Sequence, residues 1–312
     1  MPAAAPRIRH DRRGDKIRRT FDRVAPTFAA NDFLYREMSR RMDERLDMVR
    51  IAPERILDIG CGLGADRVNL HQRYPTAAWI GVDHSLQMLR HGRDAETAAL
   101  GLMRRWFNLG RRAPYSRIAA DIATLPIAGQ SVDLIWSNAA LHWLDNLPNG
   151  FKEFNRVLRI GGLLMFNTFG PDTLKELRQA CAAVDGLSTS RVHDFADMHD
   201  VGDMLVHAGF SDPVMDMETL TLTYADPWQA LRELQRAGSV LARPEVPRGL
   251  TTRAYWTRMF EHWPKDAQGR YPLTFELVQG HAWKMAPRQH EDGRAVVNFM
   301  ARVGQGQAPR RD

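Results

Sequence analysis

Three glycines at every second position, directly after an aspartate-containing strand, are the residues of this chain best suited to hold a ligand. Residues 55–59, Arg-Ile-Leu-Asp-Ile, form a short apolar run around Asp58 that is typical of a buried strand. Gly60, Gly62 and Gly64 follow, and glycines allow positive φ and a close approach of the backbone to a ligand. A helical pattern comes next, so the loop joins a strand to a helix. Ligands of open α/β sheets bind at such strand ends.

The glycine spacing separates two kinds of cofactor. Dinucleotide-binding proteins favour G-x-G-x-x-G, in which a helix N-terminus holds a pyrophosphate. Here the spacing is G-x-G-x-G, and Asp58 stands before it. A carboxylate there would repel a pyrophosphate but suits a ligand that carries an ammonium and a sulfonium. The pattern resembles motif I of the class I S-adenosylmethionine (SAM) methyltransferases, with a dinucleotide fold or a plain glycine turn as the alternatives.

Polar side chains at later strand ends support this resemblance. A second strand pattern ends at Asp83, about 20 residues after the loop, where a carboxylate can accept hydrogen bonds from both ribose hydroxyls. Asp121 and Ile122 resemble the methyltransferase adenine site, in which the acid accepts from the adenine amino group and the apolar residue packs on the ring. The alternative for Asp121 is a surface aspartate in a loop. The predicted cofactor-binding set is Asp58, Gly60, Gly62, Gly64, Asp83, His84, Asp121, Ile122 and Asn138.

Asn138 also bears on the acceptor. Methyltransferases that act on planar nitrogens of nucleobases or glutamine resemble one another in an Asn/Asp-Pro-Pro-Tyr/Phe motif at this point. Asn138 is followed by Ala-Ala-Leu-His-Trp, without prolines. The sequence therefore disfavours nucleobase or amide N-methylation. His142, in this segment, is a candidate general base or a packing residue.

Composition excludes several other classes of protein. The 312 residues are 44% hydrophobic, yet no apolar run approaches the ~20 residues of a membrane span. We expect no signal peptide, because the N-terminus is charged from Arg7 onward. The two cysteines, Cys61 and Cys181, offer no disulfide framework or zinc spacing, so we predict no metal and a cytoplasmic location. Cys61 is interpreted as a structural small residue.

The positive charge is concentrated at the N-terminus. The formal net charge is +6, and residues 1–24 hold eight basic and three acidic side chains, a net charge of +5. Such an arm can meet nucleic acid, an acidic protein or only solvent. The basic residues are Arg7, Arg9, Arg12, Arg13, Lys16, Arg18, Arg19 and Arg23.

The apolar spacing predicts alternating strands and helices. We expect an N-terminal helix at 31–49 and two C-terminal strands at 215–224 and 273–283. Between these ends, strands are predicted at 55–59, 78–83, 116–119, 132–136 and 163–169, and helices at 65–73, 85–92, 147–158 and 172–184. Thr173 and Glu176 fit a capping box for the last of these helices. The pattern predicts an α/β fold, a doubly wound, Rossmann-like, seven-stranded sheet of the class I methyltransferase type.

Four parts follow from this pattern. They are a basic arm with N-terminal helices (1–50), a SAM-binding core (51–224), a helical lid insertion (225–270), and a final core strand with a polar tail (271–312). A further insertion at 94–114 mixes arginines with Trp106 and Phe107. Contact with RNA is the weaker hypothesis for it, and we predict no stable nucleic-acid partner.

A closer resemblance covers most of the chain. It rests on Thr-Phe-Asp-Arg-Val-Ala at 20–25, Trp-Ser-Asn at 136–138, Thr-Phe-Gly-Pro-Asp-Thr-Leu at 168–174 and Gly-Arg-Tyr-Pro-Leu-Thr-Phe at 269–275. These segments resemble the biotin-pathway malonyl-[acyl-carrier protein] O-methyltransferases. The resemblance implies methylation of the free carboxylate of a malonyl group on acyl-carrier protein, which lets fatty-acid enzymes extend it toward pimeloyl. The acidic carrier would be the partner of the basic arm or the lid.

A carboxylate acceptor limits which residues the reaction needs. A carboxylate is already ionised at neutral pH, since its reference pKa is about 4, so no general base is needed. A cation or hydroxyl must still hold the malonyl group, and the candidates are Tyr35, Arg36, His142 and Arg270. Many relatives carry a tyrosine where this chain has Phe28, which departs from the family pattern. The sequence leaves the catalytic residues and the oligomeric state open.

Two alternatives remain at this point. Residues 169–178 also resemble the mitochondrial complex I assembly factor that hydroxylates an arginine, which has the same fold. A second alternative is a SAM-binding assembly protein without turnover. Methyl incorporation that depends on a malonyl carrier separates the first prediction from both.

Overall fold

A seven-stranded mixed sheet forms the centre of the molecule. The structure, a computed structural model, describes residues 12–104, 114–186, 191–238 and 252–286. The strand order is β3-β2-β1-β4-β5-β7-β6, where the strands are β1 (Arg55–Ile59), β2 (Ala78–Asp83), β3 (Tyr115–Ala119), β4 (Val132–Asn138), β5 (Leu158–Phe169), β6 (Ser211–Tyr224) and β7 (Tyr271–Trp283). Strands β1 to β5 pair in parallel, whereas β7 runs antiparallel to both β5 and β6. The predicted fold class is confirmed.

Helices cover both faces of this sheet. Within the described residues they are α1 (Arg12–Val24), α2 (Phe33–Arg45), α3 (Arg67–Arg73), α4 (Leu86–Arg104), α5 (Leu147–Val157), α6 (Lys175–Asp185), α7 (Met198–His207), α8 (Pro227–Arg236) and α9 (Arg253–His262). Short 3-10 turns lie at Ala25–Ala30, Leu46–Met48 and Leu141–Trp143. None of the described helices is long and apolar enough to cross a membrane.

The central strands are buried because helices cover both of their faces. Leu57, Leu134 and Leu164 have no exposed surface, and each lies in a run of apolar residues rather than in an alternating pattern. Since β1, β2, β3 and β4 are parallel and adjacent, their carboxyl ends meet at one edge of the sheet. That edge carries the glycine loop and the aspartates singled out in the sequence.

Two local predictions were wrong. The segment 94–114 is not a separate loop over its first half, because α4 continues to Arg104, and Glu96 of that helix pairs with Arg67 and Arg117. The rest of this insertion, with its aromatic residues, lies outside the described residues.

The capping box at the start of α6 is also absent. The Thr173 hydroxyl meets the backbone of Glu276, and the Glu176 carboxylate accepts from the Thr274 backbone at 3.1 Å and from its hydroxyl at 2.5 Å. Leu174, in the left-handed region, precedes the helix instead. Both side chains thus form hydrogen bonds with β7, about 100 positions later in the sequence, instead of with the backbone at the start of α6.

The N-terminal helices and the insertion between β6 and β7 pack together. Leu34 and Met38 of α2 share one buried cluster with Tyr255 and Met259 of α9 and with Phe275 of β7. The segment predicted as a lid therefore contributes to the core through α9. Helix α1, the other N-terminal helix, packs against α4. The sheet edge with the glycine loop is thus bordered by elements from both chain ends.

Candidate cofactor and acceptor site

A cavity of about 380 Å³ lies at the carboxyl ends of the parallel strands. Most of the predicted cofactor-binding residues line it, namely Gly60, Gly62, Asp83, His84, Asp121, Ile122 and Asn138. Asp58 and Gly64 do not line it. Residues from α1 and α2 complete the wall, among them Ile17, Phe21 and Tyr35.

The glycine loop needs its glycines for two different reasons. Gly60 and Gly62 have φ of 71° and 51°. A Cβ on Gly60 would lie 2.3 Å from the Cβ of Ala140, so the loop passes tightly against the segment after β4. A Cβ on Gly62 would meet no atom within 4 Å, which means that this glycine faces open cavity space. Gly60 therefore serves packing, and Gly62 leaves room for a ligand.

Asp83 fastens the loop to the end of β2. One carboxylate oxygen accepts from the backbone N–H of Gly62 at 2.8 Å, and the other accepts from that of Ser85 at 2.7 Å. Burial raises the pKa of the Asp83 carboxyl. Each oxygen keeps lone pairs for a further donor, such as a ribose hydroxyl. Asp22 of α1 accepts from the Ser85 hydroxyl at 2.7 Å, which ties the N-terminal helix to the same corner.

Polar side chains at the ends of β3 and β4 also line the cavity. Asp121 lies in the loop after β3, where it is exposed and accepts from the Ala123 backbone at 2.8 Å, next to Ile122. Asn138 ends β4 and donates from its side-chain nitrogen to the carbonyl of Tyr35 at 3.0 Å. In the order β3, β2, β1, β4, the cavity is thus lined by Asp121, Asp83, the glycine loop and Asn138.

Asp58 and Gly64 lie behind the loop. Asp58 is 1% exposed, and burial, followed by the nearby charge of Asp66, holds its pKa well above the usual range. A Cβ on Gly64 would lie 2.6 Å from the guanidinium of Arg117, which is itself paired with Glu96. These two residues shape the loop and its electrostatic field, and the structure does not place either against the cavity.

Aromatic side chains form the wall contributed by the N-terminal segment. Phe28 stacks on Tyr35 with ring centroids 5.3 Å apart, and Phe21 meets Trp143 edge-on at 5.7 Å. All four line the cavity. The Tyr35 hydroxyl donates to the carbonyl of Ala237, just after α8, at 2.9 Å. An apolar wall of this kind excludes water from the space beside the glycine loop.

The candidates for holding the acceptor differ in whether they line the cavity. Tyr35 and Arg36 line the cavity, and the Arg36 Nε lies 2.8 Å from the carboxylate of Asp32. Arg270, in contrast, is outside the lining and donates to the hydroxyl and carbonyl of Thr223 at 2.9 and 2.7 Å. It holds together the ends of β6 and β7, and a direct role for Arg270 in holding an acceptor stays a prediction that the described lining does not support.

His142 also lies outside the cavity. Its ring is enclosed by Trp143, Phe169 and Phe195, with His193 at a centroid distance of 6.3 Å. Burial, with the nearby His193, holds the pKa of His142 well below its usual range, so the ring is neutral at physiological pH. The packing interpretation of His142 fits this placement, whereas the general-base interpretation stays a prediction without support from the described lining.

The donor set of the cavity fits SAM and disfavours a pyrophosphate. Among the described residues, five aspartates line the cavity against two arginines, Arg18 and Arg36. Carboxylates suit an ammonium, a sulfonium and ribose hydroxyls, and they repel phosphates. The described residues contain no cluster of three or more potential metal-ligating side chains.

Comparisons with known proteins agree with this chemistry. The profile of a family described as a methyltransferase domain matches residues 57–166. A malonyl-[acyl-carrier protein] O-methyltransferase of Gallionella capsiferriformans is 43% identical over 288 residues, which is 92% of this chain and 96% of that protein. The protein of the same name from Laribacter hongkongensis is 44% identical, over 91% of this chain and 95% of its own length.

This chain belongs to the malonyl-[acyl-carrier protein] O-methyltransferase family. The predicted family, the methyltransferase activity and SAM as the cofactor are thereby confirmed. Solved structures agree at the level of fold: the YcgJ protein of Bacillus subtilis has a TM-score of 0.55 at 14% identity, covering 80% of this chain and 99% of its own. A phosphoethanolamine N-methyltransferase of Haemonchus contortus has a TM-score of 0.54 at 15% identity, covering 86% and 60%.

Some residues of the site had no signal in the sequence. Asp66, Phe21 and Trp143 line the cavity, yet none belongs to a motif that marks it as a ligand-facing residue. Asp66 lies two residues after Gly64, the last residue of the G-x-G-x-G motif, so the motif does not include it. Phe21 and Trp143 are 122 positions apart in the sequence, and only the packing of α1 over the post-β4 segment brings them together.

Proposed function

We propose that this protein transfers the methyl group of SAM to the free carboxylate of malonyl-[acyl-carrier protein]. The product is the methyl ester that primes pimeloyl synthesis in the biotin pathway. The observation that carries the proposal is the match to relatives of that name over almost their whole length. A match of 288 residues necessarily includes α2 and the insertion as well as the cofactor-binding core.

The row of side chains at the strand ends supports a placement for SAM. Asp121 and Ile122 hold the adenine, Asp83 accepts from the ribose hydroxyls, and the loop from Gly60 to Gly62 approaches the methionine part. His84 and Asn138 line the same surface. Bound SAM supplies an electrophilic methyl group on a sulfonium. Asp58 and Gly64 act from behind, through the field and the shape of the loop.

The acceptor enters beside the aromatic wall. A malonyl carboxylate is ionised at neutral pH, so transfer needs alignment and removal of water rather than a base. Phe28 and Tyr35 exclude water, and the guanidinium of Arg36 is the cation on α2 that faces the cavity. We assign Arg36 to holding the malonyl thioester and Tyr35 to shaping the site. Phe28 has no hydroxyl, so its part is steric.

The carrier protein docks on the outer face of α1. Ile17 and Phe21 of this helix point to the cavity, while Lys16, Arg19 and Arg23 are exposed on the opposite face. These three residues form the cationic stripe of α1. An acidic carrier is attracted to such a stripe, and the stripe borders the cavity that its acyl arm must reach. Arg232, on the lid insertion, is already paired with Asp226.

The domain organisation follows from the same arrangement. We propose that residues 1–50 and 225–270 form the acceptor side of the active site around the core at 51–224 and the final strand after 271. An enzyme of this pathway acts where acyl-carrier protein is made, so we retain the cytoplasm as its proposed location. We propose neither a nucleic-acid partner nor a membrane partner.

The deciding experiment is methyl transfer in a purified system. The protein is incubated with methyl-labelled SAM and malonyl-carrier protein, and the product is tested for a methyl ester that base removes. Unloaded carrier and succinyl-carrier protein are the controls. We expect a labelled ester with the malonyl carrier and rescue of a biotin-requiring strain that lacks its own methyltransferase. SAM binding without any ester would instead favour an assembly protein or a hydroxylase-like activity.

A further inference from the structure

Asp66 has an unusual position for an aspartate at a helix start. It is the residue before α3, where an aspartate commonly accepts from the first backbone N–H groups of the helix. Here its side chain makes no such capping hydrogen bond. Asp66 instead lines the cavity, directly after the glycine loop. The usual structural use of an aspartate at this position is therefore missing.

A neighbouring strand fixes the carboxylate in place. The Trp136 indole N–H of β4 donates to Asp66 Oδ2 at 2.8 Å, and Trp136 is only 1% exposed. Ser39 and Asn138 lie close to this carboxyl and favour its charged form. The group is thus held rigidly on the β4 side of the glycine loop. Burial nevertheless raises the pKa of the Asp66 carboxyl above its usual value.

The described residues supply no cation to the carboxylate at this point. Within the described ranges, Asp66 forms no ion pair with an arginine or lysine, and its charge is close enough to Asp58 to raise the pKa of that second carboxyl. Two acids beside a cavity, one of them lining it, create a negative potential that favours a positively charged ligand group. The cofactor carries two such groups, an ammonium and a sulfonium.

The order of the strands decides which end of the cofactor lies here. Asp121, for the adenine, follows β3, and Asp83, for the ribose, ends β2, so the ligand runs from β3 toward β4. Three strand spacings amount to about 14 Å, enough to separate an adenine from an amino-acid end. Asp66, bonded to Trp136 of β4, lies at the far end of this row. An ammonium there offers three N–H donors to a carboxylate, whereas a sulfonium offers none.

We propose that Asp66 binds the ammonium group of the methionine part of SAM. The inference rests on the proposed placement of the cofactor and deepens it. Its consequence is selectivity: ligands that keep the amino-acid end depend on Asp66, and ligands that lack this end do not.

Three ligands and one conservative substitution test this. Asp66→Asn keeps an oxygen that can accept from Trp136 but removes the charge. By calorimetry, we expect SAM and S-adenosylhomocysteine each to bind about tenfold or more weakly, because a hydrogen bond to a charged group is lost. 5′-Methylthioadenosine has no ammonium, and its affinity should stay within about twofold. Asp43→Asn is the control, since Asp43 is a nearby acid that does not line the cavity and pairs with Arg73.

Each other outcome overturns the assignment in a recognisable way. Weaker binding of SAM alone would move Asp66 to the sulfonium, and equal losses for all three ligands would mean a structural role. Unchanged binding of all three would remove Asp66 from the site. Thermal unfolding verifies that the variant is folded. If the unsubstituted protein bound no SAM, the proposed function itself would fail; if only the variant behaved unexpectedly, the proposed function would stand.

Discussion

The hydroxyl of Tyr35 donates a 2.9 Å hydrogen bond to the carbonyl of Ala237, and this bond joins α2 to the end of α8 across the cavity wall. The next residue, Gly238, lies so close to Phe21 that a Cβ there would be 2.7 Å from its ring. The insertion between β6 and β7 thus touches both N-terminal helices. The acceptor side of the site is built from residues far apart in the sequence.

Removal of the Tyr35 hydroxyl is expected to loosen the acceptor side only. Tyr35→Phe should lower the free energy of unfolding by about 1 kcal/mol, the net value of one hydrogen bond. Because the bond holds the insertion in place, the KM for malonyl-carrier protein should rise, while the affinity for SAM is unchanged. Tyr224→Phe is the control, since that hydroxyl meets Glu233 at 2.9 Å and does not line the cavity. Similar kinetics for the two variants would contradict the role given to Tyr35.

The core of this arrangement could be predicted from local sequence. The apolar run at 55–59, the glycines after it and the acid at Asp83 lie within 30 residues, and the parallel sheet fixes how they meet. The site residues that could not be predicted depend on distant contacts. Asp66 acquires its orientation from Trp136, 70 positions away. The wrong capping box at Thr173 has the same cause, since β7 takes both side chains.

Arg36 should be needed for the acceptor and not for the cofactor. Arg36→Ala removes the cation on α2 that lines the cavity, and loss of a charged hydrogen bond of about 1.5–3 kcal/mol corresponds to a tenfold or larger rise in KM for malonyl-carrier protein. SAM affinity, measured by calorimetry, should not change. Arg40→Ala, one helical turn away, is the control because that side chain pairs with Glu37 and Glu44 outside the cavity. An unaltered KM for Arg36→Ala would exclude this role.

Gly62 should be required for ligand space rather than for folding. Gly62 and Gly161 both have positive φ, 51° and 78°, and a Cβ on either would meet nothing within 4 Å. Alanine at either position should therefore cost a similar backbone strain of about 1–2 kcal/mol. Only Gly62→Ala places its methyl group in the cavity, so only this variant should lose SAM affinity. Thermal unfolding and calorimetry measure the two effects separately, and a loss of affinity in Gly161→Ala would refute the distinction.

The buried acids predict a pH dependence of stability. Burial raises the pKa values of Asp58, Asp66 and Asp83 above those of the unfolded chain, near 3.8. Their protonated forms are therefore favoured in the folded state, so the stability they contribute is present below about pH 4 and is lost as pH rises through the folded values. The charged neighbours are Asp66, Asp83 and Arg117 at Asp58, Asp43 at Asp66, and His84 with Asp22 at Asp83.

Binding of the cationic ligand SAM should offset the stability that is lost when the buried acids ionise. The surface acids Glu37 and Asp216 have lowered pKa values, so their contribution changes at lower pH. The interval above about pH 5 belongs to the buried acids and to His142 and His281, whose lowered pKa values add stability as pH rises through the range of a free imidazole; SAM contacts neither ring, so its effect is measured as a difference at each pH. In thermal unfolding from pH 5.5 to 8, saturating SAM should stabilise the protein more at the upper end. Asp66→Asn should reduce this difference. A stabilisation by SAM that is equal at both ends would show that the acids do not ionise on binding.

The cationic stripe of α1 offers the last test, on the carrier protein. Arg13 and Arg18 are poor choices for charge reversal, because Arg13 pairs with Asp145 and Arg18 lines the cavity beside Asp15 and Asp22. Lys16, Arg19 and Arg23 are exposed on the outer face of α1, and thermal unfolding of the triple Glu variant checks that the fold is intact.

With this triple variant we expect the KM for malonyl-carrier protein to rise about tenfold at low salt, and less at high salt, as electrostatic steering is screened over ~8 Å at physiological ionic strength. Malonyl-CoA lacks the carrier surface, so its KM should change little. Reversal of Arg50, Lys152 and Arg258, which are exposed and outside the cavity lining, controls for net charge. If the control variant raised the KM equally, docking would depend on overall charge, and the stripe would have no special part in it.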